Sequence, residues 1–256
     1  MKKILVIGGG AMGSAFTIPC IENKNKVTIT EPYSKNFIKE LSSKNKYHSS
    51  LQINLPKNLK FRKFSTNLLR EKFDLIVIAL SLSGIEFIGN QLKILKLKTP
   101  ILVLTKGLKY EKKNNKILTI SEQLKKNYNG ANISVLKGPC LAKELARRKQ
   151  TSVIIASKNI KISKWIGKMI STKYYIIEFS KDIIGVEVCS AIKNIYAMII
   201  GAGQSSNMSS SLFQKSLIEM KYLTKFFRGK EKTTLGLAGL GDLYVSVVGG
   251  RNSKMG

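Results

Sequence analysis

The chain is poor in the residues that many active sites use. Its 256 positions hold one histidine, one tryptophan, five prolines and three cysteines, and only 15 acidic residues stand against 44 Lys and Arg. With His48 as the sole imidazole, Ser-His-Asp hydrolysis, His-ligated metal sites and histidine-base dehydrogenation are set aside. Acid/base work then falls to Lys, Asp, Glu or Tyr. His48 itself sits in the polar stretch Lys46 to Ser50 and is expected to be an exposed loop residue. Cys20, Cys140 and Cys189 are odd in number and spaced like neither a disulfide framework nor a metal knuckle, so reduced thiols and no metal are expected. No apolar run reads as long enough to span a bilayer, and MKKILVIGGG has no secretory core or cleavage site. A cytoplasmic protein without stable membrane insertion is the expectation.

What is abundant is positive charge, a formal +29, with 43% hydrophobic residues, enough to fill a sizeable core. The basic residues are mostly Lys, spread along the chain among Asn and Ile, with no dense tail and no aromatic interleaving. No nucleic-acid partner is therefore expected. A positive field still favours small phosphate-bearing ligands.

The first half alternates short apolar runs with amphipathic stretches, the pattern of a parallel sheet covered by helices. Strands are expected at Lys3 to Ile7, Val27 to Thr30, Leu75 to Ala79, Ile101 to Leu104, Ile133 to Leu136 and near Val153 to Ala156. From Asp182, a plausible N-cap, the run IIGVEVCSAIKNIYAMII reads as a buried helix, and Ser209 to Phe227 as an amphipathic one. The fold class expected is α/β: a Rossmann-type parallel-sheet domain over 1–181, followed by an all-α substrate domain over 182–256.

The first strand runs straight into Gly8-x-Gly10-x-x-Gly13, and Ser14 onward can form a helix. In a dinucleotide fold the first glycine makes the tight turn, the second admits the pyrophosphate and the third lets helix and strand pack closely. A second strand ends at Glu31, eighteen residues past Gly13, where a carboxylate can accept the adenosine ribose hydroxyls and repel a 2′-phosphate. NAD is thus favoured over NADP, with Tyr33 and Lys35 keeping NADP open. Gly8, Gly10, Ala11, Met12, Gly13, Ser14 and Glu31 form the expected cofactor set.

Lys193 lies mid-helix among Val188, Ala191, Ile192, Ile195, Met198 and Ile199, where an ammonium is costly to bury and its pKa is driven down. Such an amine can protonate a carbonyl oxygen, although a helical lysine commonly snorkels to the surface. Lys106 follows the strand at Ile101, on the side of a parallel sheet where ligands bind, and Gly138-Pro139-Cys140 follows the next strand. The segment Gly236 to Leu243 holds too many glycines for a helix interior; within it Asp242 could hold a lysine, and Arg251 beyond it could grip a phosphate.

On these residues the chain resembles NAD(P)-dependent glycerol-3-phosphate dehydrogenases, in order through nearly its whole length. The likeness is carried by GGGAMGSA from Gly8, DLIVIAL from Asp74, LTKGL from Leu104, KGPCLAKELA from Lys137, EVCSAIKNIYAMIIGAG from Glu187, LGLAGLGDL from Leu235 and GGRN from Gly249. The resemblance implies interconversion of dihydroxyacetone phosphate and sn-glycerol 3-phosphate with NAD or NADP, supplying glycerophospholipid synthesis, and a homodimer is expected. It implies Lys193 as general acid/base, Lys106 as a second cation, which also borders the cofactor, and Asp242 as their partner. Around the substrate it implies Gly138, Cys140, Asn194, Ser246, Gly250, Arg251 and Asn252, with Ala142 and Arg251 touching the cofactor as well. The chain departs from the family pattern at Cys140, where a polar residue is usual, at Lys137, where a small one is, and at Leu80-Ser81-Leu82, which lacks a proline. It also stops at Gly256, where the family continues, so the second domain is expected to be shortened. Rival readings are a 3-hydroxy-acid dehydrogenase or ketopantoate reductase, or a non-catalytic relative that binds dinucleotide or nucleic acid.

Overall fold

The computed structural model describes residues 1–34, 37, 45–95, 98–127 and 132–249. Strand β1 (Lys3–Ile7) leads through the glycine turn into helix α1 (Ala11–Glu22), and β2 (Lys26–Thr30) returns beside β1. Three short strands follow, β3 (Tyr47–His48), β4 (Ile53–Asn54) and β5 (Lys60–Phe61), then α2 (Thr66–Arg70), capped by the Ser65 hydroxyl, and β6 (Leu75–Ile78). Next come α3 (Leu82–Leu95), β7 (Ile101–Val103), the hairpin β8 (Leu108–Glu111) and β9 (Lys116–Thr119), α4 (Ile120–Asn127) and β10 (Ile133–Lys137). Helix α5 (Ala142–Ala146), β11 (Thr151–Ser157), α6 (Ile160–Ile170) and β12 (Tyr175–Ser180) complete the sheet region.

The eight strands run in the order β12-β11-β10-β7-β6-β1-β2-β5. Pairing from β5 to β10 is parallel, as expected; β11 joins β10 antiparallel and pairs in parallel with β12. Strand β12 was not read from the sequence, because half of YIIEFS is exposed at the sheet edge and its apolar run is broken by Glu178. The order reverses between β1 and β6, and the cleft opens at the carboxyl ends of those strands. Both faces of β1 are apolar: Leu5 and Ile7 pack with Ile76, Ile78 and Val103 on one side, Ile4 and Val6 with Phe16, Val27 and Val77 on the other. Burial on both faces is why these strands read as continuous apolar runs rather than alternating ones.

Beyond the sheet the chain is helical: α7 (Ile183–Gly201), α8 (Ser206–Phe226), a π-helical turn (Leu237–Gly241) and α9 (Asp242–Gly249). Asp182 caps α7 as expected, accepting from Gly185 N at 3.0 Å, and its other oxygen accepts from Lys230 N and Thr233 Oγ1, tying the loop after α8 to the start of α7.

Three expectations are corrected. Helix α7 does have the length and hydropathy to cross a membrane, but two-thirds of that stretch is buried inside the protein, against the sheet, α8 and α9. It is not buried all round either: Ile195, Met198 and Ile199 are exposed, on the other face of the same turns that bury Tyr196, Ala197 and Ile200. The glycine-rich 236–243 segment is helical rather than a connector; Gly241 N reaches back five residues to Gly236 O at 3.2 Å and the chain runs on into α9.

Candidate active site

One end of the cleft is made from backbone. Gly8 has φ of +116°, and a Cβ there would overlap the Ala79 carbonyl. Gly10 differs: a Cβ built on it meets nothing within 4 Å, because it points into open cleft at the start of α1. Any side chain at Gly10 would occupy the space a ligand needs, so the turn fits the pyrophosphate of a dinucleotide. Ser14 Oγ donates to Gly9 O at 2.8 Å, stiffening the turn from below. Glu31 Oε2 accepts from Gly9 N at 2.8 Å and Oε1 from Tyr33 N at 2.9 Å; each oxygen keeps a second lone pair for a ribose hydroxyl. The cleft beside the turn has a volume of about 880 Å³ and is walled by Ala11, Met12, Ser81, Thr105, Lys106, Cys140, Ala142 and Gly249.

At the other end three side chains from distant segments converge. Lys106, just past β7, donates to Asp242 Oδ2 at 2.6 Å, and Lys193 of α7 donates to Asp242 Oδ1 at 2.5 Å. Asp242, first residue of α9, is 1% exposed, and Ser190 Oγ adds a 3.4 Å contact to Oδ2. Lys193 donates also to Ser246 Oγ at 2.5 Å, while that hydroxyl donates to Asp242 O at 2.7 Å. Lys193 is therefore buried rather than snorkelling, at 6% exposure. Burial, followed by repulsion from Lys106, lowers its pKa from 10.5 to about 8 despite the opposing pull of Asp242. An amine so placed changes charge near neutral pH, as a group trading a proton with a carbonyl oxygen must.

The expected residues are otherwise placed as follows. Gly138 ends the β10 exit, Cys140 faces the cleft half-buried, and Asn194 is half-buried beside Lys193. Burial pushes the Cys140 thiol up to about 12, so at neutral pH it packs as a neutral group. Gly250, Arg251 and Asn252 lie outside the described residues, as does Lys35.

Sequence reasoning misplaced His48 and noted Lys137 only as a departure from the family pattern, not as a buried amine. His48 is no exposed bystander: it is 5% exposed, in β3, with Nε2 at 3.2 Å from Gly9 O and its ring edge-on to Phe37. Leu51 N donates to Nδ1 at 3.3 Å, which leaves Nε2 as the protonated nitrogen donating to Gly9 O. Nothing local in a polar stretch signals that contact. Lys137 is buried, but its signal was present: it shares a strand face with Ile133 and Val135, both in the core.

Two family models cover nearly the whole chain: NAD-dependent glycerol-3-phosphate dehydrogenase N-terminus over residues 3–163 and the C-terminus of the same enzyme over 182–256. A Clostridium botulinum protein named glycerol-3-phosphate dehydrogenase [NAD(P)+] is 31% identical, with 100% of this chain and 78% of the relative covered. An Archaeoglobus fulgidus protein named NADP(+)-dependent glycerol-3-phosphate dehydrogenase is 28% identical over 99% of this chain and 78% of its own. The crystal structure of a glycerol-3-phosphate dehydrogenase from Coxiella burnetii superposes with a TM-score of 0.89 at 28% identity, covering 98% of this chain and 78% of that one. With a dinucleotide turn and a buried lysine-aspartate cluster facing one cleft, the chain belongs to the NAD-dependent glycerol-3-phosphate dehydrogenase family.

Proposed function

We infer that the chain is an oxidoreductase that interconverts dihydroxyacetone phosphate and sn-glycerol 3-phosphate with NAD or NADP, the product serving as a glycerophospholipid precursor. The observation that carries this reading is the Lys106–Asp242–Lys193 cluster, whose Lys106 lines the cleft that starts at the glycine turn. When bound, the nicotinamide supplies or accepts the hydride. This chain's residues do the rest.

Lys193 holds the proton destined for the ketone oxygen, and Asp242 with Ser246 fixes where its Nζ sits. Lys106, part-exposed on the cleft wall, presents a second cation to the developing oxyanion, and Asp242 keeps the two like charges at a set separation. The phosphate end is assigned to Arg251 and Asn252 on the family resemblance, since a planar guanidinium binds phosphate in two-pronged fashion. Glu31 favours an unphosphorylated ribose and hence NAD. The same reading divides the chain at 181/182, which is supported by the change there from sheet to helices.

The test is nicotinamide fluorescence followed after addition of dihydroxyacetone phosphate, with 2-ketopantoate and small keto acids run in parallel. The expected result is oxidation of the reduced cofactor with dihydroxyacetone phosphate alone. Turnover of a keto acid instead would move the substrate assignment to a related dehydrogenase, and binding without any turnover would remove it.

A further inference from the structure

Lys137 is a buried lysine that the proposed chemistry does not use. It is 2% exposed, and every neighbour that could neutralise it is remote enough to make no hydrogen bond to it among the described residues. Its ammonium donates instead to two backbone carbonyls, Thr105 O at 2.5 Å and Val103 O at 3.4 Å. The register explains why. Strands β7 and β10 pair in parallel with Val103 opposite Val135, the last pair of that ladder. Two residues further on, Thr105 and Lys137 would face each other, but β7 has already left the sheet; the Lys137 side chain bridges the gap that the backbone ladder no longer fills. Thr105 is anchored a second time through its own hydroxyl, which donates to Leu80 O at 2.7 Å. The next residue is Lys106.

We propose that Lys137 is a positioning residue for Lys106: by holding the Thr105 carbonyl it fixes the exit of β7, from which the Lys106 side chain reaches Asp242 and the substrate oxygen. The proposal deepens the functional reading above and rests on it for the role of Lys106. A packing role alone is poorly served by a lysine, since an aliphatic side chain would fill the same face with Ile133 and Val135 at no desolvation cost. Burial lowers the pKa of Lys137 to about 7, opposed by Glu187 and Asp242 and aided by Lys106. An amine donates N–H in either charge state, so the bridge to Thr105 persists through that titration.

The test is a double-mutant cycle, Lys137→Met and Lys106→Ala singly and together, read as kcat, KM for dihydroxyacetone phosphate and cofactor Kd, with a thermal melt for each protein. Met keeps the length of the side chain and removes the donor. The expected result is a kcat lowered roughly tenfold to a hundredfold by Lys137→Met, as for a displaced catalytic group, with cofactor Kd nearly unchanged. In the Lys106→Ala background the same substitution should have almost no effect on kcat. Full activity of Lys137→Met, or an equal loss in both backgrounds, would overturn the proposal. Should Lys137→Met fail to fold, Lys137→Ser, with a small side chain of the kind the family resemblance implies there, takes its place in the cycle. If the unaltered protein turns over none of the substrates, the functional reading fails separately. Lys137 is then judged by the ¹³C resonance of Lys106 after reductive methylation, which shifts in Lys137→Met if the proposal holds and is unmoved if it does not.

Discussion

At the cofactor end of the cleft a few consecutive residues, Gly8 to Met12, shape the site with main-chain atoms and a helix start; at the chemical end Lys106 and Asp242 meet across 136 positions of chain, with Lys193 from a third segment. The first arrangement depends less on distant segments, because strand, turn and helix are contiguous and much of the conformation is written in the glycines themselves. The second exists only if the sheet, α7 and α9 all pack correctly. Damage should therefore differ in kind: at the turn it falls on cofactor binding with turnover kept, at the cluster on turnover with cofactor binding kept.

The largest effect that tests this contrast is Lys193→Met. Turnover should fall by about 10² to 10⁴, the usual contribution of a general acid, with cofactor affinity in a fluorescence titration unchanged. Weakened cofactor binding of similar size would erase the contrast. Next is Asp242→Asn, which leaves two ammonium groups facing each other without their shared carboxylate. Loss of about 3–5 kcal/mol in denaturant unfolding is expected, as for a broken buried ion pair, together with loss of activity.

At the opposite end, Gly13→Ala sets a Cβ against the Gly8 carbonyl, where the helix packs on the turn. Overpacking of this sort costs about 1–3 kcal/mol, which should appear as weaker cofactor binding and a lower unfolding midpoint, with kcat at saturating cofactor largely kept. The pH profile sharpens the picture of the cluster. Reduction of the ketone needs the Lys193 ammonium, so kcat/KM should be level below about pH 8 and fall about tenfold per unit above it; oxidation of the alcohol needs the free amine and should rise toward the same break. Lys106→Ala removes a charge that disfavours the ammonium and should move the break upward. The smallest effect is expected from His48→Ala, which deletes one hydrogen bond to Gly9 O, about 0.5–1.5 kcal/mol, visible in cofactor Kd and not in kcat.

Much of the site could be read before any coordinates, for reasons that differ by residue. Gly8, Gly10 and Gly13 were legible because strand, turn and helix are contiguous, and Asp182 because a cap acts on the next turn. Lys193 stood out as an ammonium in an aliphatic helix and Asp242 as a carboxylate that could hold some lysine, yet their pairing and Ser246 emerged only from the family resemblance, since no local pattern links α7 to α9. Helical propensity misled at 236–243, where tertiary packing made a π-turn of glycine-rich chain. His48 was misjudged because the polarity of its neighbours says nothing about the glycine turn that it closes over.

By itself the sequence determined the alternation of strands and helices, the dinucleotide turn and the identity of the charged groups, because these depend on contacts within a few residues. Only the tertiary structure decided that Lys193 and Lys106 share one carboxylate, that Lys137 is sealed behind Lys106 and that His48 faces Gly9. Each of those depends on which segments are brought together and how much water is left between them, and both are set by the packing of the whole chain.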